Sequence, residues 1–206
     1  MFDPTLFPSE ENQKALSLPL PDAAITYYPQ FLETTYASEV FQKLMKATAW
    51  QQDDIKIFGK IYKQPRLTAL YGDEGKSYSY SNITMHPNPM TPLLKEIKSK
   101  IELVTQTTFN TVLLNLYRDG NDSNGWHSDN EKELGRNPVI ASVSLGAKRS
   151  FKLKHRGDKK LNYKIFLNHG SLLLMQGETQ HHWLHELPKS KKITEPRINL
   201  TFRVIK

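Results

Sequence analysis

The stretch that decides the fold is Arg197–Arg203, with the sequence RINLTFR. Polar and apolar residues alternate along it without a break, and a period of two predicts a β-strand with one face in a core. Four polar side chains share one face: Arg197, Asn199, Thr201 and Arg203. If the apolar face packs on a helix or a sheet, the two arginines point into the interior, where a guanidinium group needs an anionic partner. A small dicarboxylate would serve both through bidentate contacts, whereas an edge strand would leave them in water.

Further strands with this alternation fill the second half of the chain. We predict them at Thr111–Tyr117, 139–145, 150–154, 163–167, 171–175 and 198–204, after shorter ones at 55–58, 66–70 and 78–81. Two earlier segments have helical spacing, one capped by Ser38 and one by Thr91 with Pro92 in its first turn. Helices followed by many strands predict one α+β domain over residues 1–206 with a β-sandwich or barrel core. Residues 1–20 are predicted to form a loose arm.

The composition excludes several classes of site. The 206 residues include no cysteine, which excludes disulfides, thiol catalysis and cysteine-bound zinc or iron–sulfur clusters. No apolar run approaches the roughly 18 residues of a membrane helix, and the N-terminus lacks the features of a secretory signal. We therefore expect no membrane partner and a cytoplasmic location, or a nuclear one in a eukaryote. A monomer is the default expectation.

Positive charge is in excess and partly clustered. Lys and Arg number 28 against 21 Asp and Glu, a net charge of +7, which favours a polyanionic partner. Seven of these cations lie between Lys148 and Lys160, and three more between Lys189 and Lys192. They either bind phosphate groups or form the solvated face of a hairpin, and the cluster alone favours neither.

One histidine and one carboxylate are spaced to share a metal ion. His127 and Asp129 lie two apart in an extended segment and face the same way. An imidazole with a carboxylate suits iron(II) or another divalent first-row metal. The third ligand would be His181, His182 or His185, and spacing does not choose among them. Because such a pair recurs by chance, a surface histidine beside a turn aspartate is one alternative, and a zinc hydrolase is another.

Asn115 and Tyr117 share a strand face, and their amide and phenol groups can hydrogen-bond either a carboxylate or a partner in the core. Asn115-x-Tyr117, the His-x-Asp pair, His185 and the two arginines follow one another along the chain. Together, and in this order, these motifs resemble the iron(II)- and 2-oxoglutarate-dependent dioxygenases of the AlkB nucleic-acid dealkylase family. The ending PRINLTFR at 196–203 is similar to that family's C-terminal signature. Residues 141–146 and 169–173 are similar to its barrel strands. The resemblance covers the chain from about residue 20 to its end.

The resemblance implies a double-stranded β-helix, a jelly roll of two facing sheets, with N-terminal covering helices and a substrate-recognition hairpin. It implies iron(II) as the metal, with 2-oxoglutarate and dioxygen as cosubstrates. The family's aromatic-x-His pattern selects His185, so the implied iron ligands are His127, Asp129 and His185. The implied cosubstrate residues are Asn115, Tyr117, Arg197 and Arg203.

Segments further upstream resemble the substrate contacts of the duplex-acting mammalian member of that family. In that member a hairpin enters the base stack, so the resemblance predicts that Phe58 fills the gap left by a flipped base. The alternative is that Phe58 packs in the core. The other residues predicted to contact or enter DNA are Ile57, Gly59 and Arg66. The predicted base-binding residues are Tyr78, Tyr80 and Glu131. Trp126, just before His127, is not a fixed feature of the motif, and we expect it to reshape the mouth of the pocket.

The predicted function is oxidative demethylation of 1-methyladenine and 3-methylcytosine in DNA, preferably duplex DNA, with release of formaldehyde and succinate. In this prediction the basic segment at Lys148–Lys160 binds the phosphate backbone. Two alternatives are the same chemistry on RNA or protein, and a non-catalytic module that recognises damaged bases.

Overall fold

The computed structural model describes residues 15–57, 59–76, 78–80 and 83–206, with the backbone alone for 56, 57, 78–80 and 83. The helices are α1 (Thr34–Ala47), α2 (Pro92–Thr105) and the short α3 (Thr179–His182). The strands are β1 (Leu16–Ser17), β2 (Ala24–Tyr28), β3 (Asp54–Ile57), β4 (Lys60–Lys63), β5 (Leu67–Gly72), β6 (Tyr78–Tyr80), β7 (Ile83–Met85), β8 (Asn88–Pro89), β9 (Thr111–Tyr117), β10 (Asn124–His127), β11 (Ile140–Gly146), β12 (Arg149–His155), β13 (Asn162–Leu167), β14 (Ser171–Gln176), β15 (Trp183–Leu187) and β16 (Arg197–Arg203).

Helices, a large sheet and a small sheet form three layers. The large sheet has the order β1-β2-β14-β11-β16-β9-β5-β8, and the small one β10-β15-β12-β13. Apolar residues on one side of α1 and α2, such as Val40 and Ile97, pack on the outer face of the large sheet. A second apolar cluster, including Met175 and Leu187, fills part of the space between the sheets. The prediction that helices cover a sheet is confirmed.

Strand β16 lies in the middle of the large sheet and confirms the prediction from its alternation. It pairs with β11 on one side and with β9 on the other, so the edge-strand alternative is wrong. Ile198, Leu200 and Phe202 are fully buried against the helical layer. The four polar residues of β16 face the small sheet.

Two features near the N-terminus differ from the prediction: the start of α1 and the order of residues 16–18. Helix α1 begins at Thr34 and not after Ser38, because the Glu33 carboxylate accepts the backbone N–H groups of Thr35 and Tyr36 at 2.7 and 3.1 Å. Residues 16–18, which were predicted to belong to a loose arm, are ordered, since β1 pairs with β2 and Leu18 is buried. Helix α2 begins as predicted, with Thr91 as its cap and Pro92 in its first turn.

Two separate hairpins complete the architecture. Strands β3 and β4 form one of them, and β6 and β7 the other. Gly59 in the first hairpin's turn has a φ of +80°, a conformation that glycine adopts without strain. Phe58 lies outside the described residues. Within the described part of the chain, no helix has the length and apolar character needed to cross a membrane.

Candidate active site

A cavity of about 510 Å³ opens between the two sheets. Strands of both sheets contribute to its walls, so residues far apart in the chain meet there. The predicted residues that line it are Arg66, Asn115, Tyr117, His127, Asp129, Glu131, His185, Arg197 and Arg203. The sequence thus predicted most of the polar lining of this cavity.

The register of the small sheet brings two histidines together. His127 of β10 lies directly opposite His185 of β15, and facing residues of antiparallel strands have neighbouring side chains. Their ring centroids are 4.2 Å apart, edge to face, and His185 also stacks on Phe151 at 5.2 Å. Burial lowers the pKa of His185 to about 3, so its imidazole is neutral at physiological pH. A neutral imidazole is the form that binds metals.

The hydrogen bond made by His127 determines which of its ring nitrogens carries the proton and which has a free lone pair. Its Nδ1 lies 2.7 Å from the carbonyl oxygen of Gly125. A carbonyl oxygen only accepts, so the proton of the neutral ring is on Nδ1. The lone pair on Nε2 is then available to a metal, in the arrangement by which metal-binding histidines are oriented in proteins.

Asp129 is held as a buried, ionised carboxylate. Burial alone would raise its pKa, but the positive charge and the hydrogen bond of Arg203 bring the pKa of Asp129 down to about 2. The Arg203 guanidinium donates from Nη2 to Oδ1 at 2.9 Å, with both residues buried. The backbone N–H of Asp129 donates to Oε1 of Gln180 at 2.9 Å. These two bonds fix the loop that follows β10.

The three predicted iron ligands form one cluster. One ligand atom each of His127, Asp129 and His185 can be chosen so that all lie within 4.8 Å of one another. Two imidazoles and one carboxylate on one side of a cavity are the donor set of non-haem iron(II) oxygenases. His181 lies elsewhere, with its Nε2 2.8 Å from Asn137 Oδ1.

Arg197 is a buried cation without an acidic partner among the residues that the structure describes. It is 2% exposed, and its Nη2 donates to Ser144 Oγ and Asn199 Oδ1 at 2.8 and 2.9 Å. Its Nε has no hydrogen-bond partner, and among the described residues no carboxylate lies within 4 Å of its side chain. Burial lowers the pKa of Arg197 to about 10, so it remains charged at neutral pH. A carboxylate of 2-oxoglutarate fits this requirement.

Asn115 and Tyr117 line the cavity as predicted, and each meets an arginine. The guanidinium groups of Arg149 and Arg197 both contact the ring of Tyr117, at 5.7 and 5.3 Å from its centroid. Asn115 Oδ1 accepts a hydrogen bond from Arg66 Nε at 2.7 Å. These contacts with arginines hold the side chains of Asn115 and Tyr117 in place in the cavity wall.

Two basic residues among the predicted nucleic-acid contacts, Arg66 and Arg149, are buried. Arg66 is 6% exposed in the cavity wall, so it can meet a base inside the cavity but not the phosphate backbone outside. Arg149, one of the seven basic residues at 148–160, is 1% exposed and donates to the carbonyl groups of Asp119, Asp122 and Pro188. Buried backbone carbonyls need donors, and this arginine supplies them.

The remaining predicted contacts are only partly described. Glu131 lines the cavity beyond Asp129. Trp126 is 38% exposed, with Lys154 Nζ 4.2 Å from its ring centre. Ile57, Tyr78 and Tyr80 lie on strands, but their side chains are outside the described part of the structure.

Sequence reasoning did not identify Gln180 and Asn124, which contact the proposed metal ligands. Gln180 is 1% exposed and holds Asp129, and Asn124 lies beside His127 with Nδ2 3.1 Å from Nε2. Both are common polar residues outside any motif, so only their tertiary contacts identify them. Asn124 faces inward with His127 because the β10–β15 register shifts between them.

A second group of possible metal ligands is less suited to a metal. It consists of Asp22, His155 and His182. Nδ1 of His155 accepts the backbone N–H groups of Gly157 and Asp158 at 3.2 and 3.0 Å. The proton of the neutral ring is therefore on Nε2, which faces Asp22 at 3.3 Å. A metal at Nε2 would have to displace this proton.

Comparison with known proteins agrees with this geometry. The model of the 2OG-Fe(II) oxygenase superfamily matches residues 24–203. Human alpha-ketoglutarate-dependent dioxygenase alkB homolog 3 is 43% identical over 195 residues, which are 88% of this chain and 66% of that protein. The chain therefore spans just under two thirds of that relative's length. Human DNA oxidative demethylase ALKBH2 is 42% identical over 179 residues, 82% of this chain and 69% of that protein.

Among solved structures, that of OsALKBH1 is similar with a TM-score of 0.69 at 16% identity, covering 92% of this chain and 99% of that one. This similarity concerns the fold and, with the match to the superfamily, confirms the predicted fold class. The family's two named groups, iron(II) and 2-oxoglutarate, are those that the cavity's donor set and its buried arginine accommodate. The chain belongs to the 2OG-Fe(II) oxygenase superfamily and, within it, to the AlkB family.

Proposed function

We propose that this chain is an iron(II)- and 2-oxoglutarate-dependent dioxygenase that demethylates N-alkylated bases in nucleic acid. The observation that carries the proposal is Arg197, a buried cation without a described acidic partner, in the same cavity as the cluster of His127, Asp129 and His185. A zinc hydrolase would need the cluster but not the arginine. A dicarboxylate cosubstrate that binds next to a metal ion accounts for both the cluster and the arginine.

Each residue then has a role set by its chemistry. His127, Asp129 and His185 would hold iron(II), and three protein ligands leave room for cosubstrate and dioxygen. Arg197 would bind a carboxylate of 2-oxoglutarate, with Asn115 and Tyr117 as polar neighbours. Arg203 keeps Asp129 ionised, and Phe151 restricts the motion of the His185 ring. With dioxygen as the oxidant, bound iron(II) and 2-oxoglutarate would supply the oxidation of the methyl group, with succinate, carbon dioxide and formaldehyde as products.

The substrate we propose is DNA carrying 1-methyladenine or 3-methylcytosine. A relative at 42% identity bears the name DNA oxidative demethylase, and the net charge of +7 favours a polyanion. Glu131 in the cavity wall offers a carboxylate to the amino group of a flipped base. The preference for duplex DNA rests on the hairpin of β3 and β4, with Phe58 as the residue that replaces the flipped base.

Mass spectrometry of methylated oligonucleotides tests this function. The protein is loaded with iron(II) and 2-oxoglutarate without oxygen, and oxygen is then added with duplex DNA, single-stranded DNA or RNA. We expect loss of one methyl group from DNA, fastest in the duplex, and none with Asp129→Ala. Demethylation of RNA alone would overturn the DNA substrate. Succinate release with no demethylated product would keep the dioxygenase and overturn the nucleic-acid substrate.

A further inference from the structure

Four residues form a continuous hydrogen-bonded chain along the cavity wall, from the proposed cosubstrate site to the proposed metal site. Arg66 Nε donates to Asn115 Oδ1 at 2.7 Å, and Arg66 Nη1 donates to Asn124 Oδ1 at 3.1 Å. Asn124 Nδ2 lies 3.1 Å from Nε2 of His127. We infer that Asn124 is a displaceable positioning residue, which binds His127 in the metal-free protein and 2-oxoglutarate in the loaded one. This inference rests on the proposed function.

The orientation of the Asn124 amide follows from its two neighbours. A guanidinium group only donates, so the atom facing Arg66 must be the Asn124 oxygen. His127 carries its proton on Nδ1, because Nδ1 faces the carbonyl of Gly125. Its Nε2 therefore accepts, and the atom facing it must be the Asn124 nitrogen. Both ends of the chain independently require the same orientation.

Metal binding would change the partner of Asn124. The lone pair on His127 Nε2 cannot be shared between the Asn124 N–H and a metal ion, so the metal displaces the hydrogen bond. Arg66 still holds the Asn124 oxygen, and Arg66 is 6% exposed in the wall with its Nε fixed by Asn115. The Asn124 N–H group therefore stays beside the metal site and needs a new acceptor.

The acceptor that fits is an oxygen of the cosubstrate. An N–H donor beside a bound cation is satisfied by an oxygen that the cation also attracts, and a carboxylate is the strongest acceptor of that kind. Arg66 joins Asn124 to Asn115, which lines the part of the cavity assigned to 2-oxoglutarate. The same guanidinium thus orients amides on both sides of that ligand.

The inference predicts effects of opposite sign on two binding steps. Calorimetry without oxygen measures Mn(II) binding first and then 2-oxoglutarate binding to the Mn(II)-loaded protein. In Asn124→Leu, Mn(II) should bind as tightly or up to about fivefold more tightly, because a competing neutral hydrogen bond is gone. The affinity for 2-oxoglutarate should fall about tenfold or more, as expected for a lost hydrogen bond to a charged acceptor.

Two further variants make the test specific. Asn124→Asp keeps an oxygen for Arg66 but has no N–H group and adds a carboxylate, so it should tighten Mn(II) binding and weaken 2-oxoglutarate binding more than Asn124→Leu does. Asn121→Leu removes an exposed amide from the loop between β9 and β10, where its side chain hydrogen-bonds to Asp119, and should change neither affinity.

The outcomes separate the inference from the proposed function. Unchanged 2-oxoglutarate affinity in Asn124→Leu overturns the inference, and so does a parallel loss of both affinities, which would mean that Asn124 only maintains the shape of the site. If the wild-type protein binds Mn(II) but no 2-oxoglutarate, the proposed function itself fails, and the inference with it.

Discussion

At the scale of single residues, the candidate site depends on hydrogen bonds that fix the protonation of two of the three proposed metal ligands, while burial keeps the third, His185, neutral. Gly125 places the proton of His127 on Nδ1, and Arg203 keeps Asp129 ionised. None of these partners is a metal ligand itself. Such supporting contacts commonly change metal affinity by about 10- to 100-fold when removed.

Loss of a direct ligand should therefore have a larger effect than loss of a support. In His127→Ala we expect turnover to fall by more than about 100-fold, with an unchanged melting temperature, because His127 lies at the cavity edge and not in the apolar core. The activity assay described above and thermal unfolding by circular dichroism measure the two quantities. His181→Ala, which removes a histidine outside the cluster, is the matched control. Full activity of His127→Ala would remove this residue from the ligand set.

Gln180 should act as a support for Asp129. In Gln180→Leu the backbone N–H of Asp129 loses its acceptor, and an unsatisfied buried donor costs about 1–3 kcal/mol. We expect the affinity for Mn(II) to fall about tenfold, measured by calorimetry. Gln30→Leu, at an exposed position before α1, should leave the affinity unchanged. An unchanged affinity in Gln180→Leu would show that the loop holds Asp129 without this bond.

At the scale of secondary-structure elements, one histidine links α1 to the large sheet. Nδ1 of His169 accepts the backbone N–H of Gly146 at 2.8 Å, and its Nε2 lies 3.1 Å from Ser38 Oγ. Ser38 Oγ donates to the carbonyl of Thr34, so His169 Nε2 carries the proton and donates to Ser38. Burial lowers the pKa of His169, and protonation of Nδ1 would break the bond to Gly146.

This link predicts a stability that depends on pH. Since the folded-state pKa of His169 is below its value of about 6.5 in the unfolded chain, the contribution is complete above that pH and is lost as the pH falls below it. One such group changes the free energy of unfolding by at most about 1.4 kcal/mol per pH unit. Urea unfolding at about pH 7.5 and about pH 5.5 should show a smaller decrease for His169→Gln than for the wild type. Equal decreases would contradict the role of His169.

Strands with strict alternation could be predicted from sequence, and elements determined by tertiary contacts could not. The alternation in β16 identified that strand and its inward face, and hence Arg197, whereas the family resemblance assigned Asn115 and Tyr117 on β9 to the site. By contrast, α1 begins one turn early because Glu33 is an unusual cap. A buried Arg66 or Arg149 has the same sequence appearance as an exposed one, since burial depends on which carbonyls and amides surround it. The family resemblance selected His185 over His181 and His182 as the third proposed metal ligand. On geometric grounds, that choice required the register of β15, which the sequence does not reveal.

At the scale of the whole molecule, the two sheets bring the parts of the site together across the cavity. The small sheet carries His127 and His185, and the large sheet carries Asn115, Tyr117 and Arg197. The hairpin of β3 and β4 lies outside both sheets, and its strand β4 is exposed along its length. An exposed hairpin of this kind is suited to contact a large substrate.

The hairpin should matter for duplex substrates in particular. In Phe58→Ala we expect turnover of duplex DNA to fall several-fold more than turnover of single strands, because only a duplex requires the flipped base to be replaced in the stack. The ratio of kcat/KM on the two substrates measures this effect. Lys60→Ala, on the exposed strand β4, controls for the loss of a nearby cation. Equal losses on both substrates would rule out Phe58 as the residue that enters the stack.

The most direct test of the central claim is the position of a bound metal. Crystals grown without oxygen in the presence of Mn(II) and 2-oxoglutarate would show the metal by its anomalous scattering. We predict one metal bound by His127, Asp129 and His185, with a carboxylate of 2-oxoglutarate at Arg197. Metal bound only by Asp22, His155 and His182, or a cavity in which Arg197 meets no carboxylate, would contradict the assignment of this site.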